Sequence, residues 1–193
     1  MQGVVNLITH RAKNVGKLTA AIESLTRKRA LVGVPAENSS RQTGDKINNA
    51  ELLYILSHGV RKGSMIAEMD ADMDRGRTYN AAYELYIREH GSPLWAIPPR
   101  PVLEPGVKSR QKEISLELAE ASRAAIRGDN NAVDLHLDNA GQLGEDGAKA
   151  WFEDPRNNWP PNSPKTIAKK GSDKPLQDTG EMKKSITHVM REV

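Results

Sequence analysis

The chain has 193 residues, 28 Lys plus Arg against 25 Asp plus Glu, and a formal net charge of +3. With no Cys it has no disulfide framework, no thiolate zinc site and no cysteine nucleophile. No stretch approaches the roughly 18 to 20 apolar residues of a membrane span, and Met1 to His10 lack the charged start and apolar run of a secretory signal, so the sequence reads as soluble and intracellular.

The length suits one domain burying roughly 70% of its unfolded surface. Apolar content of 37% and aromatic content of 4% are low for a self-contained enzyme, so part of the stability is expected from neighbouring chains. Charge is unevenly placed: residues 1–35 carry +5, 36–155 carry -6 and 156–193 carry +4. Contacts between basic ends of one copy and acidic surfaces of another would use this split; solvated charge without a partner is equally compatible.

In chain order, Val15, Leu18, Ile22 and Leu25 predict a helix with Asn14 as N-cap, and the run from Ala30 to Pro35 predicts a strand. Glu37 to Lys46 reads as a mobile loop. Segments 48–59 and 80–91 match at seven of twelve positions, and each predicts a short helix stopped by glycine. Between them Met65, Met69 and Met73 share a helical face, best read as packing surface. Ile97 to Gly106 holds four prolines and predicts an extended, stiff connector. Ile114, Leu118, Ala121 and Ala125 mark a helix ending at Gly128. A second stripe, Leu137, Ala140 or Gly141, Gly144, Ala148 and Trp151, is made mostly of small residues that would let another backbone come close. Asp154 to Thr179 is rich in Pro, Asn, Ser and Lys and predicts a long arm or loop. Asp178 and Glu181 stand at capping-box spacing before a short helix, and Ile186 to Arg191 can form a final strand.

Asp70, Asp72 and Asp74 suggest a calcium loop, but the required glycine falls one place late and Ala81 stands where a bidentate Glu is needed. They are expected to form a solvated acidic helix face. The five histidines show no HExxH-like pair, and Glu89 and His90, adjacent on a helix, are expected to diverge. His58 and His90 precede helix-ending glycines, where a cation suits the helix dipole. Trp159 to Pro164 could be a polyproline ligand or a loop anchored by its Trp. Lys165, Lys169, Lys170 and Lys174 could touch phosphates, which gives an alternative function class: a nucleic-acid-binding module using the basic terminal segments.

Three segments taken in order carry a resemblance: Tyr86 to Gly91 leading into Ile97 to Leu103, then Trp159 to Gly171, then Lys174 to Ile186. This pattern resembles the tail-completion, or virion morphogenesis, proteins of long-tailed bacteriophages. Val102 stands where a Phe is common, and residues 60–80 look like an inserted helix. The resemblance implies a helix-rich α+β single domain over 1–193, with a small antiparallel sheet and an extended arm at about 154–180. It implies a virion protein of the neck, assembled in the host cytoplasm, that completes the tail and joins head to tail. The subunit would form a homo-oligomeric ring, six copies favoured and twelve possible, between the connector or head-completion proteins and the tail-terminator or tail-tube proteins. Genome DNA could pass through its lumen. No enzyme activity, cofactor, metal or membrane partner is expected. The residues implied as structural and interface elements are Ile97, Pro98, Pro99, Arg100, Pro101, Trp159, Ile167, Pro175, Leu176, Asp178, Thr179 and Gly180.

Overall fold

The computed structural model describes residues 15–16, 18–23, 25–41 and 47–192. Helical backbone at 15–16, 18–23 and 25–26 forms α1; its expected cap, Asn14, and residues 42–46 of the expected loop lie outside the described residues. There follow β1 (Lys28–Gly33), α2 (Asn49–His58), β2 (Val60–Arg61), α3 (Gly63–Asp74), α4 (Tyr79–His90), β3 (Trp95–Ile97) and α5 (Leu103–Ser109). The chain continues through α6 (Gln111–Arg127), α7 (Asn130–Trp151), α8 (Pro164–Lys170), α9 (Glu181–Ser185) and β4 (Thr187–Glu192), with 3-10 turns at Ala36–Asn38 and Pro155–Asn157. Helix dominates and the strands pair only in twos, β1 with β4 and β2 with β3, both antiparallel, which makes the class α+β. No helix among the described residues is long and apolar enough to cross a membrane.

The longest pairing is the α6–α7 hairpin. Gly128 ends α6 in the left-handed conformation, φ 78°, and the Asp129 side chain accepts from Ala132 N at 3.0 Å to start α7. Between them Ala121, Ala124, Ala125, Val133 and Leu137 form one buried cluster, which Ala21 of α1 joins. Of the expected apolar face of α1, Leu25 packs against this cluster, whereas Val15, Leu18 and Ile22 are exposed.

The small-residue stripe on α7 admits three neighbours. A Cβ on Gly147 would stand 2.5 Å from Gly106 O of α5, one on Gly144 would stand 2.9 Å from Val32 of β1, and one on Gly141 would stand 2.6 Å from the His188 ring of β4. A second cluster, Leu53, Val102, Ala148, Phe152, Met182 and Ile186, joins α2, α7, α9 and the approach to α5. Val102 is fully buried there, so the smaller residue at this position still anchors its segment. A third, Met65, Met69, Ala82 and Tyr86, holds α3 against α4.

The structure corrects further expectations. The proline-rich stretch is not extended throughout: Ile97 ends β3 and α5 begins at Leu103 with Pro105 as its third residue. Amides of a first helical turn have no intrahelical acceptor, so proline loses nothing there. The 154–180 segment is not a free arm, since it contains α8 and is tied to the body at several points described below. Asp178 and Glu181 form no capping box; Gly180 occupies the N-cap of α9 with φ 78°, and Thr179 Oγ1 accepts from Glu181 N at 3.3 Å. Finally, Asp70 and Asp74 are exposed but Asp72 is only 9% exposed, accepting from Arg77 at 2.6 Å and Arg75 at 3.3 Å. The helical twist turns the middle aspartate inward, where two guanidiniums compensate its charge.

Candidate functional site

The three segments that carry the resemblance meet in space. Ile97, Pro98 and Arg100 from the first, Pro161, Asn162, Ser163, Thr166 and Lys170 from the second, and Leu176, Asp178, Thr179, Gly180, Glu181 and Met182 from the third line one open groove of about 490 Å³. Arg41, Asn49, Leu52 and Leu56 complete its wall.

Arg100 is the pivot. The preceding connector lies over the end of α2, where Gly59 leaves room: a Cβ there would stand 2.7 Å from Ile97 O and 2.8 Å from Pro99 N. Arg100 N then donates to Leu56 O at 2.8 Å, closing α2 against the connector. The side chain, 6% exposed, sends Nε and Nη2 to Pro160 O at 3.1 and 2.7 Å, and Nη2 also to Pro161 O at 3.0 Å. The two proline carbonyls are acceptors, and one guanidinium fastens residues 60 positions away. Burial pushes the Arg100 pKa down; it also pushes down that of Lys170 across the groove, where repulsion from Arg100 adds to the effect and Asp178 and Asp173 oppose it.

The third segment is held by its own strained turn. Leu176 has φ 57°, an unusual left-handed conformation for a branched apolar residue, and its side chain packs against the second cluster. Gln177 Nε2 beside it donates to Phe152 O at 3.1 Å. Two acceptors on the groove wall, Asn49 Oδ1 and Glu181 Oε2, are buried without a hydrogen-bond partner. The groove therefore combines a buried cation bonded to Pro160 and Pro161 with two buried acceptors that lack donors.

Of the twelve expected residues, Ile97, Pro98, Arg100, Leu176, Asp178, Thr179 and Gly180 line this groove. Pro99 packs over Gly59, and Pro101 O accepts from Trp159 Nε1 at 3.2 Å. Trp159 meets Phe152 edge to face at 6.0 Å and packs on the second cluster, so the anchored-loop reading of Trp159 to Pro164 is the one observed. Ile167 and Pro175 are half-buried and stand outside the groove lining. Asn49 and Glu181 carried no sequence signal beyond helix starts.

A second polar centre has no sequence signal at all, because its members come from two distant elements. Glu145 of α7, 8% exposed, accepts at Oε2 from His188 N at 3.0 Å, Thr187 Oγ1 at 3.1 Å and His188 Nδ1 at 2.7 Å, and at Oε1 from Lys149 Nζ at 2.6 Å. Asp138 faces His188 Nε2 at 3.2 Å. Burial alone would raise the Glu145 pKa, but these donors outweigh it and hold the carboxyl at about 2. His188 shifts the other way: burial would lower its pKa, and the bonds to Glu145 and Asp138 raise it. The centre locks β4 to α7.

His58 and His90 repeat one local device. Each Nδ1 meets the carbonyl four residues back, Tyr54 O at 2.9 Å and Tyr86 O at 3.1 Å, with the Tyr and His rings 4.1 Å apart. The expected divergence of Glu89 and His90 is not found: both bring a ligating atom to Glu68 of α3. Side chains at consecutive helical positions can converge on a third group when the second helix lies between their directions. No family model, curated protein or solved structure matches this chain.

Proposed function

We propose that the chain is a structural subunit of a phage neck, completing the tail and joining it to the head as a ring of identical copies, six favoured. The observation that supports this reading is the convergence of the three family-like segments on the Arg100 groove. Segments spread over some eighty residues form one surface whose main chemistry is binding, with a buried cation and donor-poor acceptors. A neighbouring subunit that inserts a polar segment would supply those donors and cover apolar groove residues at the same time. Heterologous contacts of this kind close into rings under rotation.

The test uses the phage that encodes the chain. With the gene inactivated, lysates viewed by negative stain are expected to hold separate filled heads and tails, and adding the purified protein is expected to join them. Normal virions without the protein would overturn the reading. Salt-dependent binding of the isolated subunit to random duplex, with joining unaffected, would instead favour the nucleic-acid-binding module.

A further inference from the structure

The α3–α4 hairpin is built on little: two twelve-residue helices share four buried side chains, Met65, Met69, Ala82 and Tyr86. Units with so small a core commonly need a staple. At one place on this hairpin a carboxylate oxygen of Glu68, one of Glu89 and a ring nitrogen of His90 lie within 4.8 Å of one another. His90 Nε2 stands 3.7 Å from Glu68 Oε2. Two carboxylates this close repel, and a cation between them would relieve that repulsion.

Two further observations separate this cluster from a chance meeting of surface charges. His90 Nδ1 faces the Tyr86 carbonyl at 3.1 Å, and a carbonyl can only accept, so Nδ1 carries a proton and Nε2 is the ring atom turned toward the carboxylates. Metal-binding imidazoles are oriented by this kind of second bond. The Tyr86 ring, stacked on His90 at 4.1 Å and 12°, fixes the imidazole plane. In addition, the Tyr86 hydroxyl is buried without a hydrogen-bond partner on a residue only 2% exposed. The stack on His90 places this unsatisfied phenol beside the cluster.

The duplicated device on α2 gives an internal comparison. His58 has the same stack and the same bond to the carbonyl four residues back, but Ser57 stands where Glu89 precedes His90. Only the copy on α4 gathers carboxylates.

We propose that Glu68, Glu89 and His90 bind a divalent transition-metal ion of the Zn2+ class, which clips α3 to α4. One imidazole with two carboxylates and no sulfur suits Zn2+ and its borderline neighbours, whereas Ca2+ and Mg2+ prefer all-oxygen sites. Ligand bonds of about 2.0–2.2 Å put atoms of a tetrahedral shell roughly 3.4 Å apart, so rotation of the two exposed glutamates closes the present separations. Water would fill the remaining position.

The full chain is titrated with Zn2+ by calorimetry and followed by thermal unfolding, with Mg2+ and Ca2+ alongside. One saturable Zn2+ site that raises the melting temperature is expected, with little response to the other two ions. His90→Gln and Glu68→Gln should each weaken it by at least about tenfold, while His58→Gln leaves it unchanged. Co2+ should give d–d absorption bands that His90→Gln removes. Absence of saturable Zn2+ binding at millimolar concentrations overturns the site, as does binding unaltered in both variants. Should either variant unfold, amide exchange of the wild-type chain decides: Zn2+ must slow exchange within 63–90, and no change there overturns the proposal.

Discussion

Glu145 shows how one residue can set the pH range of a fold. Its folded pKa of about 2 lies below the ordinary 4.5, so its stabilising contribution is complete above about pH 4.5 and disappears as pH falls toward 2. His188 is raised above its ordinary 6.5, so its contribution is complete below pH 6.5 and disappears as pH rises through the folded value. Stability is therefore expected to plateau between these limits and to decline on both sides. Urea unfolding midpoints between about pH 3 and pH 9 measure this directly. His188→Gln should flatten the alkaline decline and leave much of the acid one, because Lys149 and Thr187 still reach Glu145. Glu145→Gln should flatten the acid decline, reduce the alkaline one because Asp138 still faces His188, and cost on the order of 3 kcal/mol near pH 6, since it leaves Lys149 and His188 facing an uncharged amide. An alkaline limb identical in wild type and His188→Gln would remove His188 as its origin.

Among the elements, the crossing of α5 over α7 admits the least change. A Cβ on Gly106 would stand 2.6 Å from Ala148 Cα, and one on Gly147 would stand 2.5 Å from Gly106 O; neither obstacle is a side chain that can rotate away. Gly106→Ala and Gly147→Ala are each expected to cost about 3 kcal/mol in chemical denaturation, the upper part of the range for overpacking. Gly63→Ala is the control: nothing stands within 4 Å, so it should be neutral or slightly stabilising. If all three behave alike, the close approach is not what constrains the crossing. The stripe read from the sequence included Ala148 of this crossing but not Gly147, and the partner was not visible, because α5 hides inside a proline-rich run. Local signals were legible where they act locally: Gly59 follows α2 and Gly128 stops α6. The signals that failed depend on what lies across space. Asp178 and Glu181 have capping-box spacing, yet the backbone places Gly180 at the cap. Arg100 could be named as a motif residue, whereas its bonds to Pro160 and Pro161 follow only from the fold.

At the scale of the molecule, the groove and the core are one construction. Its walls come from residues 41 to 182, and the segment rich in Pro, Asn and Lys is held to them by the Arg100 bonds, Trp159, Leu176 and Gln177. A sequence of this composition buries little on its own, which is why it reads as a free arm; the apolar surface that orders it belongs to Phe152 and its cluster. Trp159→Ala therefore removes a stabilising contact of the body as well as of the segment. Full burial of a Trp is worth about 3–5 kcal/mol on truncation, and Trp159 is half-buried, so a loss of about 2 kcal/mol is expected. The indole hydrogen bond to Pro101 O disappears with it, loosening the connector that carries Arg100. Global unfolding by urea should shift to lower concentration, and limited proteolysis should begin within 158–180 before the α6–α7 hairpin is cut. Joining of heads to tails would then fall in step with the folded fraction. An unchanged unfolding midpoint together with rapid cleavage in 158–180 would instead make the segment independent of the core, and the groove a surface formed only on assembly.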